Sequence, residues 1–128
     1  MGFLDKFRPQ PEHQHEDPAV RVMAVQELPD EAQDLLGAIA REDTDAGIRR
    51  VAVGRLSHVE TLATIAHRDQ DENVRAAAAV GLRHLALEAT DEAVAEAALT
   101  SLEQPRDLAD VAKTAAFESV SLAALARL

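Results

Sequence analysis

The chain has 128 residues and a net charge of −10, and aromatic residues make up 2% of it. It contains no cysteine, which excludes a disulfide framework, a thiolate nucleophile and a Cys-based zinc site. The acidic balance argues against nucleic acid as a partner, because phosphate binding needs a cationic surface. No apolar run approaches the ~20 residues of a membrane span, and no secretory signal is visible. We expect a cytoplasmic protein.

Residues 1–16 form a separate N-terminal segment and linker, and we expect one repeat domain over 17–128. Phe3 and Phe7 make a small apolar cluster beside basic residues, and a polar stretch rich in Pro and His follows. Two interpretations stay open. The segment is either a frayed end or lid over the first helices, or a short docking segment whose contacts are Phe3 and Phe7.

Apolar residues spaced at helical intervals predict an all-α domain. Asp and Pro residues mark the helix starts, since an Asp carboxylate accepts from the free amides of a first turn and Pro fits the first helical position. Eight helices are predicted, at Pro18–Leu28, Glu31–Arg41, Ala46–Ser57, Val59–His67, Glu72–Leu87, Glu92–Glu103, Pro105–Thr114 and Glu118–Leu128.

One motif recurs at four of these helix starts. It has an Asp, then a branched residue, an Arg, an Ala and a Leu, and the branched residue, Ala and Leu share one helical face. The first three copies are Asp17–Leu28, Asp45–Leu56 and Asp71–Leu82, and the fourth, Asp91–Leu102, carries Ala95 in place of the Arg. The repeated face predicts a core of twelve residues: Val20, Ala24, Leu28, Ile39, Ile48, Ala52, Leu56, Leu62, Ile65, Val74, Ala78 and Leu82.

A helix pair repeated at a fixed period is the pattern of an α-solenoid, because each pair buries its apolar stripe against its neighbours. A shift of 46 residues lays Asp45–Leu82 on Asp91–Leu128 without a gap. By this match the helix at Glu92–Glu103 is the first of a pair. By chain order it follows the fifth helix and takes the second position. We favour chain order, which gives about four stacked pairs in two layers.

The segments DPAVRVMAVQEL, DAGIRRVAVGRL and DENVRAAAAVGL resemble short bacterial HEAT-type repeats, including those of HEAT-like phycobilisome lyases. The resemblance covers roughly 17–128 and implies an armadillo-like α-solenoid. It implies several roles, since this repeat serves many. Ala95 departs from the motif, so an Asp–Arg ladder is expected to stop there.

The motif arginines Arg21, Arg49 and Arg75 have two interpretations. Asp45–Arg49 and Asp71–Arg75 have the i, i+4 spacing of helical ion pairs, which stabilise a helix modestly. In the functional alternative, the three arginines form a row that binds acidic groups of a partner. That role requires guanidinium groups free of their Asp neighbours.

No constellation for catalysis, a cofactor or a metal is visible. His13 and His15 lie in the linker with no further ligands fixed nearby, and His58, His67 and His84 are scattered singly. No glycine-rich phosphate loop or nucleophile elbow occurs. We predict a non-enzymatic protein without cofactor or metal.

The last predicted helix is apolar over much of its circumference, with Leu125 and Leu128 among its residues. Such a helix requires burial on more than one side. The sequence therefore predicts that this helix mediates self-association or contacts a partner, or that further repeats continued it in a longer protein.

These features favour a non-enzymatic interaction module, an adaptor or scaffold whose partner is another protein. The alternative, implied by the lyase resemblance, is a chromophore-lyase-like or cofactor-chaperone subunit. A nucleic-acid-binding repeat protein would need a basic groove, which the composition disfavours.

Overall fold

A computed structural model of the chain describes residues 12–128, and Phe3 and Phe7 lie outside this range. Within 12–128 the regular structure is helical and contains no strand, which confirms the all-α prediction for this range. A short 3-10 turn spans Glu12–Gln14. Eight α-helices follow: α1 (Pro18–Glu27), α2 (Gln33–Glu42), α3 (Ala46–Val53), α4 (Val59–Arg68), α5 (Glu72–Glu88), α6 (Glu92–Thr100), α7 (Pro105–Thr114) and α8 (Glu118–Ala126).

The four motif aspartates cap helices as predicted. Each carboxylate accepts from one or two backbone amides of the first turn, at α1, α3, α5 and α6. The second helix begins later than predicted. That helix begins at Gln33 rather than Glu31, and the side chain of Gln33 bonds the carbonyls of Asp30 and Arg55 and the amide of Ser57. Gln33 therefore ties the start of α2 to the end of α3.

Helices α1, α3 and α6 end before the last residue of their motif, a leucine, and α8 ends before the matching residue Leu128. The amides of Leu28, Leu56, Leu102 and Leu128 each bond the carbonyl three residues earlier, at 3.0–3.3 Å. This tighter bonding is that of a 3-10 turn, so the predicted ends at Ser57, Glu103 and Leu128 were too late. Only in the long helix α5 does the helix continue past the motif leucine, Leu82.

The core follows the predicted face. Ten of the twelve predicted core residues are buried, while Val20 and Leu28 of the first repeat are partly buried. The packing is close where α4 meets α5. A Cβ on Gly81 would lie 3.3 Å from Leu62 Cδ2, so the absence of a side chain there lets the two helices approach.

Helices two apart in the chain lie against each other. Contacts join α1 to α3, α3 to α5 and α5 to α7, and they also join α2 to α4, α4 to α6 and α6 to α8. Helix α6 therefore packs with the even-numbered helices, the position that chain order predicts for it.

The 46-residue sequence match is nevertheless reflected in the same contacts. Helix α8 packs against α7 and α6 in the way that α5 packs against α4 and α3. Helices with the first-of-pair motif thus belong to the odd-numbered set up to α5 and to the even-numbered set from α6 onward. The exchange occurs where α5 and α6, two motif helices in succession, pack directly on each other.

No helix within residues 12–128 combines the length and apolar character needed to cross a membrane.

Replacing Leu82 by Ala is expected to lower the free energy of unfolding by about 2–5 kcal/mol, because its side chain is fully buried and its removal leaves a cavity. The control is Val80→Ala in the same helix, whose side chain is 56% exposed and whose truncation should change stability by about 0.5 kcal/mol or less. Urea unfolding followed by circular dichroism measures both. Equal losses for the two variants would contradict the packing of α5 described here.

Candidate binding cleft between helices α2 and α4

An Arg–Asp ladder joins the starts of successive motif helices. Arg49, in the first turn of α3, donates to both carboxylate oxygens of Asp69 at 2.9 and 3.1 Å. The same guanidinium donates to the carbonyl of Asp43 at 2.8 Å. Asp69 also accepts from the amide of Asp71, the residue that caps α5. One arginine thereby links the loop before its own helix to the loop before the next motif helix.

Arg21 repeats this arrangement one unit earlier. It donates to the Asp43 carboxylate at 3.1 and 3.3 Å and to the carbonyl of His15 at 2.9 Å. Asp43 accepts in turn from the amide of Asp45. Both carboxylates of the ladder are 6% exposed, so each ion pair is largely shielded from water.

Arg75 ends the ladder. It donates to the carbonyl of Asp69 at 2.7 Å, as Arg49 does to Asp43. Among the described residues no carboxylate pairs with it, and the next loop before an odd-numbered helix, residues 101–104, carries no aspartate. The sequence predicts that the ladder stops at Ala95. It stops at Arg75, because α6, the next helix with the motif, packs with the even-numbered helices, whereas α5 packs with the odd-numbered ones.

The expected i, i+4 pairs are wrong. Arg49 bonds Asp69 and not Asp45, because the carboxylate of Asp45 accepts from the amide of Ile48 in the cap of α3. Asp71 caps α5 in the same way and does not pair with Arg75. The condition for a partner-binding row, free guanidinium groups, is not met at Arg21 and Arg49. For Arg75 partner binding stays a prediction.

The ladder shifts the pKa of its central pair. Burial of Asp69 raises the pKa of its carboxyl, but the hydrogen bonds from Arg49 and from the amide of Asp71 outweigh burial and hold that pKa below its ordinary value of 3.8. The hydrogen bond to Asp69 raises the pKa of the Arg49 guanidinium against the opposing effect of burial. Each partner therefore stabilises the charged form of the other.

Beside the ladder, an open cleft runs between α2 and α4. Three depressions of about 160, 340 and 430 Å³ make up this α2–α4 cleft, and Arg41 lines all of them. Gly37 lies in its wall, where a Cβ would stand 3.5 Å from Thr61 Cγ2 and 3.6 Å from a terminal nitrogen of Arg41. The Arg41 side chain therefore lies along the α2 side of the cleft.

Two basic side chains of the cleft, Arg41 and Arg68, are open to solvent. Both are exposed, both line the same two depressions, and neither makes a hydrogen bond or ion pair with a residue between 12 and 128. Each guanidinium has five N–H donors and no acceptor, so the pair is suited to carboxylates. Asp34 and Glu42 lie at the edges of the cleft and limit how strongly negative a bound segment can be.

The sequence reasoning missed Arg41 and Arg68. Their only signal is position: each lies in the last turn of the second helix of a pair, just before an aspartate of the ladder. A basic residue there is ordinarily explained by the helix dipole. Their convergence depends on α2 and α4 lying side by side.

The cleft also contains an imidazole and a hydroxyl in contact. His58 Nδ1 lies 2.9 Å from Thr61 Oγ1 and accepts from the amide of Thr61 at 3.4 Å. This geometry is that of a helix N-cap, since His58 directly precedes α4. This contact does not test the prediction that the protein is not an enzyme.

The other candidate residues lie apart from this cleft. Among residues 12–128, no three or more His, Asp or Glu side chains are close enough together to hold a metal ion. Leu125 and Leu128 lie on and just after α8 and are 60% and 59% exposed. The predicted C-terminal surface therefore lies apart from the arginines of the α2–α4 cleft.

Comparison of the chain with protein-family models, curated proteins and solved structures finds no match. The HEAT-type resemblance of the motifs accordingly remains an expectation from the sequence, and function is argued from the geometry of the cleft.

Acid should destabilise the protein in part through Asp69. Its folded pKa lies below the unfolded value of 3.8, so its contribution is complete above that value and is lost as the pH falls through the folded pKa. We expect wild type to lose more stability between about pH 6 and about pH 3 than Asp69→Asn does. Urea unfolding at both pH values is the measurement, with Asp30→Asn, at a side chain 89% exposed, as control. If the Asp69→Asn variant lost as much stability in acid as wild type, the assignment of this loss to Asp69 would be contradicted.

A double-mutant cycle should separate the ladder from an exposed ion pair. Arg49→Gln with Asp69→Asn should give a coupling of about 1–3 kcal/mol, because the hydrogen bonds are charged and shielded. The control cycle, Arg55→Gln with Asp30→Asn, should give below about 1 kcal/mol, because Asp30 is exposed although the two lie 2.8 Å apart. Equal couplings would show that the ladder does not stabilise the stacking.

Proposed function

We propose that this protein is a non-enzymatic interaction module, a small HEAT-like α-solenoid of four helix pairs that acts as an adaptor or scaffold. The α2–α4 cleft binds an acidic segment of a partner protein. The contacts between helices two apart support the stacked arrangement, and stacked helix pairs offer extended surfaces for partners.

The observation that carries the proposal is the convergence of Arg41 and Arg68 on one cleft. Other exposed arginines, such as Arg50 and Arg106, line none of the described depressions that hold a second arginine. In a chain of net charge −10, two open guanidinium groups side by side are locally favourable for carboxylates.

The ladder occupies the two aspartates in the wall of the cleft. Arg21 bonds the carboxylate of Asp43 and Arg49 bonds that of Asp69, so these carboxylates do not compete for Arg41 and Arg68. A partner carboxylate can then approach from solvent. Nucleic acid is disfavoured, because a long phosphate backbone would meet the acidic remainder of the surface.

Fluorescence anisotropy with two labelled peptides tests the proposal, one rich in glutamate and its counterpart with glutamine at the same positions. The intact chain should bind the glutamate peptide, and Arg41→Gln with Arg68→Gln should weaken binding by about 10-fold or more, since charged hydrogen bonds are lost. Glu42→Gln should strengthen binding, because it removes a like charge from the edge of the cleft.

The matched control is Arg50→Gln with Arg106→Gln, which removes the same charge from outside the cleft and should change affinity by about 2-fold or less. Equal weakening by the two double variants would mean attraction by overall charge alone and would contradict the cleft as the site. Equal binding of both peptides would contradict an acidic ligand.

A further inference from the structure

A depression of about 240 Å³ opens on α2, on a face other than the one that lines the α2–α4 cleft. Leu35, Ala38 and Ile39 line it, and the exposed Glu42 lies at its edge. Among residues 12–128, the only lining side chains outside α2 and the loop after it come from the 3-10 turn at Glu12–Gln14. We call this site the α2 depression.

The same face of the next even-numbered helix is covered by α2. An offset of 26 residues lays α2 on α4, and Leu35 then corresponds to Thr61. Ala38 corresponds in the same way to Thr64. Both threonines adjoin α2: a Cβ on Gly37 would stand 3.5 Å from Thr61 Cγ2, and Thr64 lines a depression that the last turn of α2 also lines. In a stack of repeats, the α2 depression is therefore where the preceding element packs.

The α2 depression is apolar where its equivalent on α4 is polar. Leu35 and Ala38 take the places of the two threonines, and within residues 12–128 both stay partly exposed. The outer face of a terminal repeat is ordinarily polar, because no further repeat covers it. An apolar face at this end of the stack therefore indicates that a further segment covers it.

We propose that residues 1–11 of the same chain cover the α2 depression, with Phe3, Leu4 and Phe7 as the contacts. These residues include two of the three phenylalanines of the chain. An aromatic side chain buries about 150–250 Å² when it packs, so these side chains gain free energy on an apolar surface that is otherwise open to water. The covered surface is then an interaction within one chain.

The path of the chain leads from this segment to the α2 depression. His13 and Gln14 line the depression, so the segment is attached at its edge. Arg21 donates to the carbonyls of His15 and Glu16 at 2.9 and 3.0 Å, which fixes the point of attachment on the domain. Helix α2 has 10 residues and is about 15 Å long. Five residues of extended chain span about 17 Å, so the segment is long enough to reach every part of the depression.

Charge also favours this segment as the occupant. Lys6 and Arg8 flank Phe7, and the carboxylate of Glu42 lies at the edge of the α2 depression. Among residues 12–128 no lysine or arginine lines the depression, so a cationic segment is attracted to it and is not repelled. A segment joined by so short a link has a local concentration on the order of 1 mM, which favours it over the same segment of a second copy.

Because the chain has no cysteine, two introduced thiols report the contact. Asp5→Cys leaves the three apolar residues of the segment in place, and Ala38→Cys lies in the depression. Under mild oxidation of the intact chain, this pair should form a disulfide within one chain about 10-fold faster than the control pair, Asp5→Cys with Ala19→Cys. Ala19 is exposed on α1 and nearer in sequence, so the order should reverse in urea, where the shorter loop closes more readily. Adding Phe3→Ser with Phe7→Ser should abolish the preference in the folded chain.

Methyl NMR of the chain without introduced thiols gives a second measurement. Phe3→Ser with Phe7→Ser should shift the methyl signals of Leu35, because two aromatic rings leave its surroundings. The control, Leu122→Ser with Leu125→Ser, removes two exposed apolar side chains of α8 and should leave the Leu35 signals unchanged. Circular dichroism checks that each variant is folded.

The two measurements separate the other occupants of the α2 depression from this one. Disulfides that form mainly between chains would assign the depression to a second copy. That result, equal rates for the two thiol pairs in the folded chain, or Leu35 signals that do not move in the phenylalanine variant would overturn the proposal.

Discussion

The repeated bond between an arginine of one motif helix and the aspartate before the next joins successive helix pairs in the first half of this protein. Arg49 reaches a carboxylate and a carbonyl in two different loops, so it sets the distance and the angle between successive helix pairs. Apolar packing of Ala, Val and Leu is tolerant of small rotations because these side chains make no directional bonds. The directional guanidinium–carboxylate bonds supply the specificity that such a core lacks, and their shielding from water keeps them effective.

The ladder is confined to the first half of the domain, and the reason lies in α5. This helix is 17 residues long, and the helix that follows it carries the first-of-pair motif while packing with the even-numbered helices. From there onward the joining of helices relies on other arginines. Arg127 bonds the end of α6, and Arg83 of α5 pairs with Asp107 and Asp110 of α7 at 3.7 and 3.3 Å. The two halves are thus alike in sequence and differ in the bonds that hold them.

This division also decides which side chains stay exposed in each half. In the first half, the ladder neutralises the aspartates near α2 and α4 and leaves Arg41 and Arg68 available in the cleft. In the second half, the anchoring of α8 by Arg127 leaves uncharged leucines on the outside.

The sequence by itself determined the local structure: eight helices, the Asp caps of four of them and most of the buried face, because caps and apolar spacing act within a few residues of each other. Only the tertiary structure decided the partners of the long polar side chains. Arg49 is four residues from Asp45 and twenty from Asp69, and the nearer aspartate is occupied by its own helix cap. The cleft arginines are 27 positions apart and meet only because α2 and α4 lie together. A guanidinium group reaches whichever carboxylate the packing of the backbone brings near, and that distance is a property of the fold.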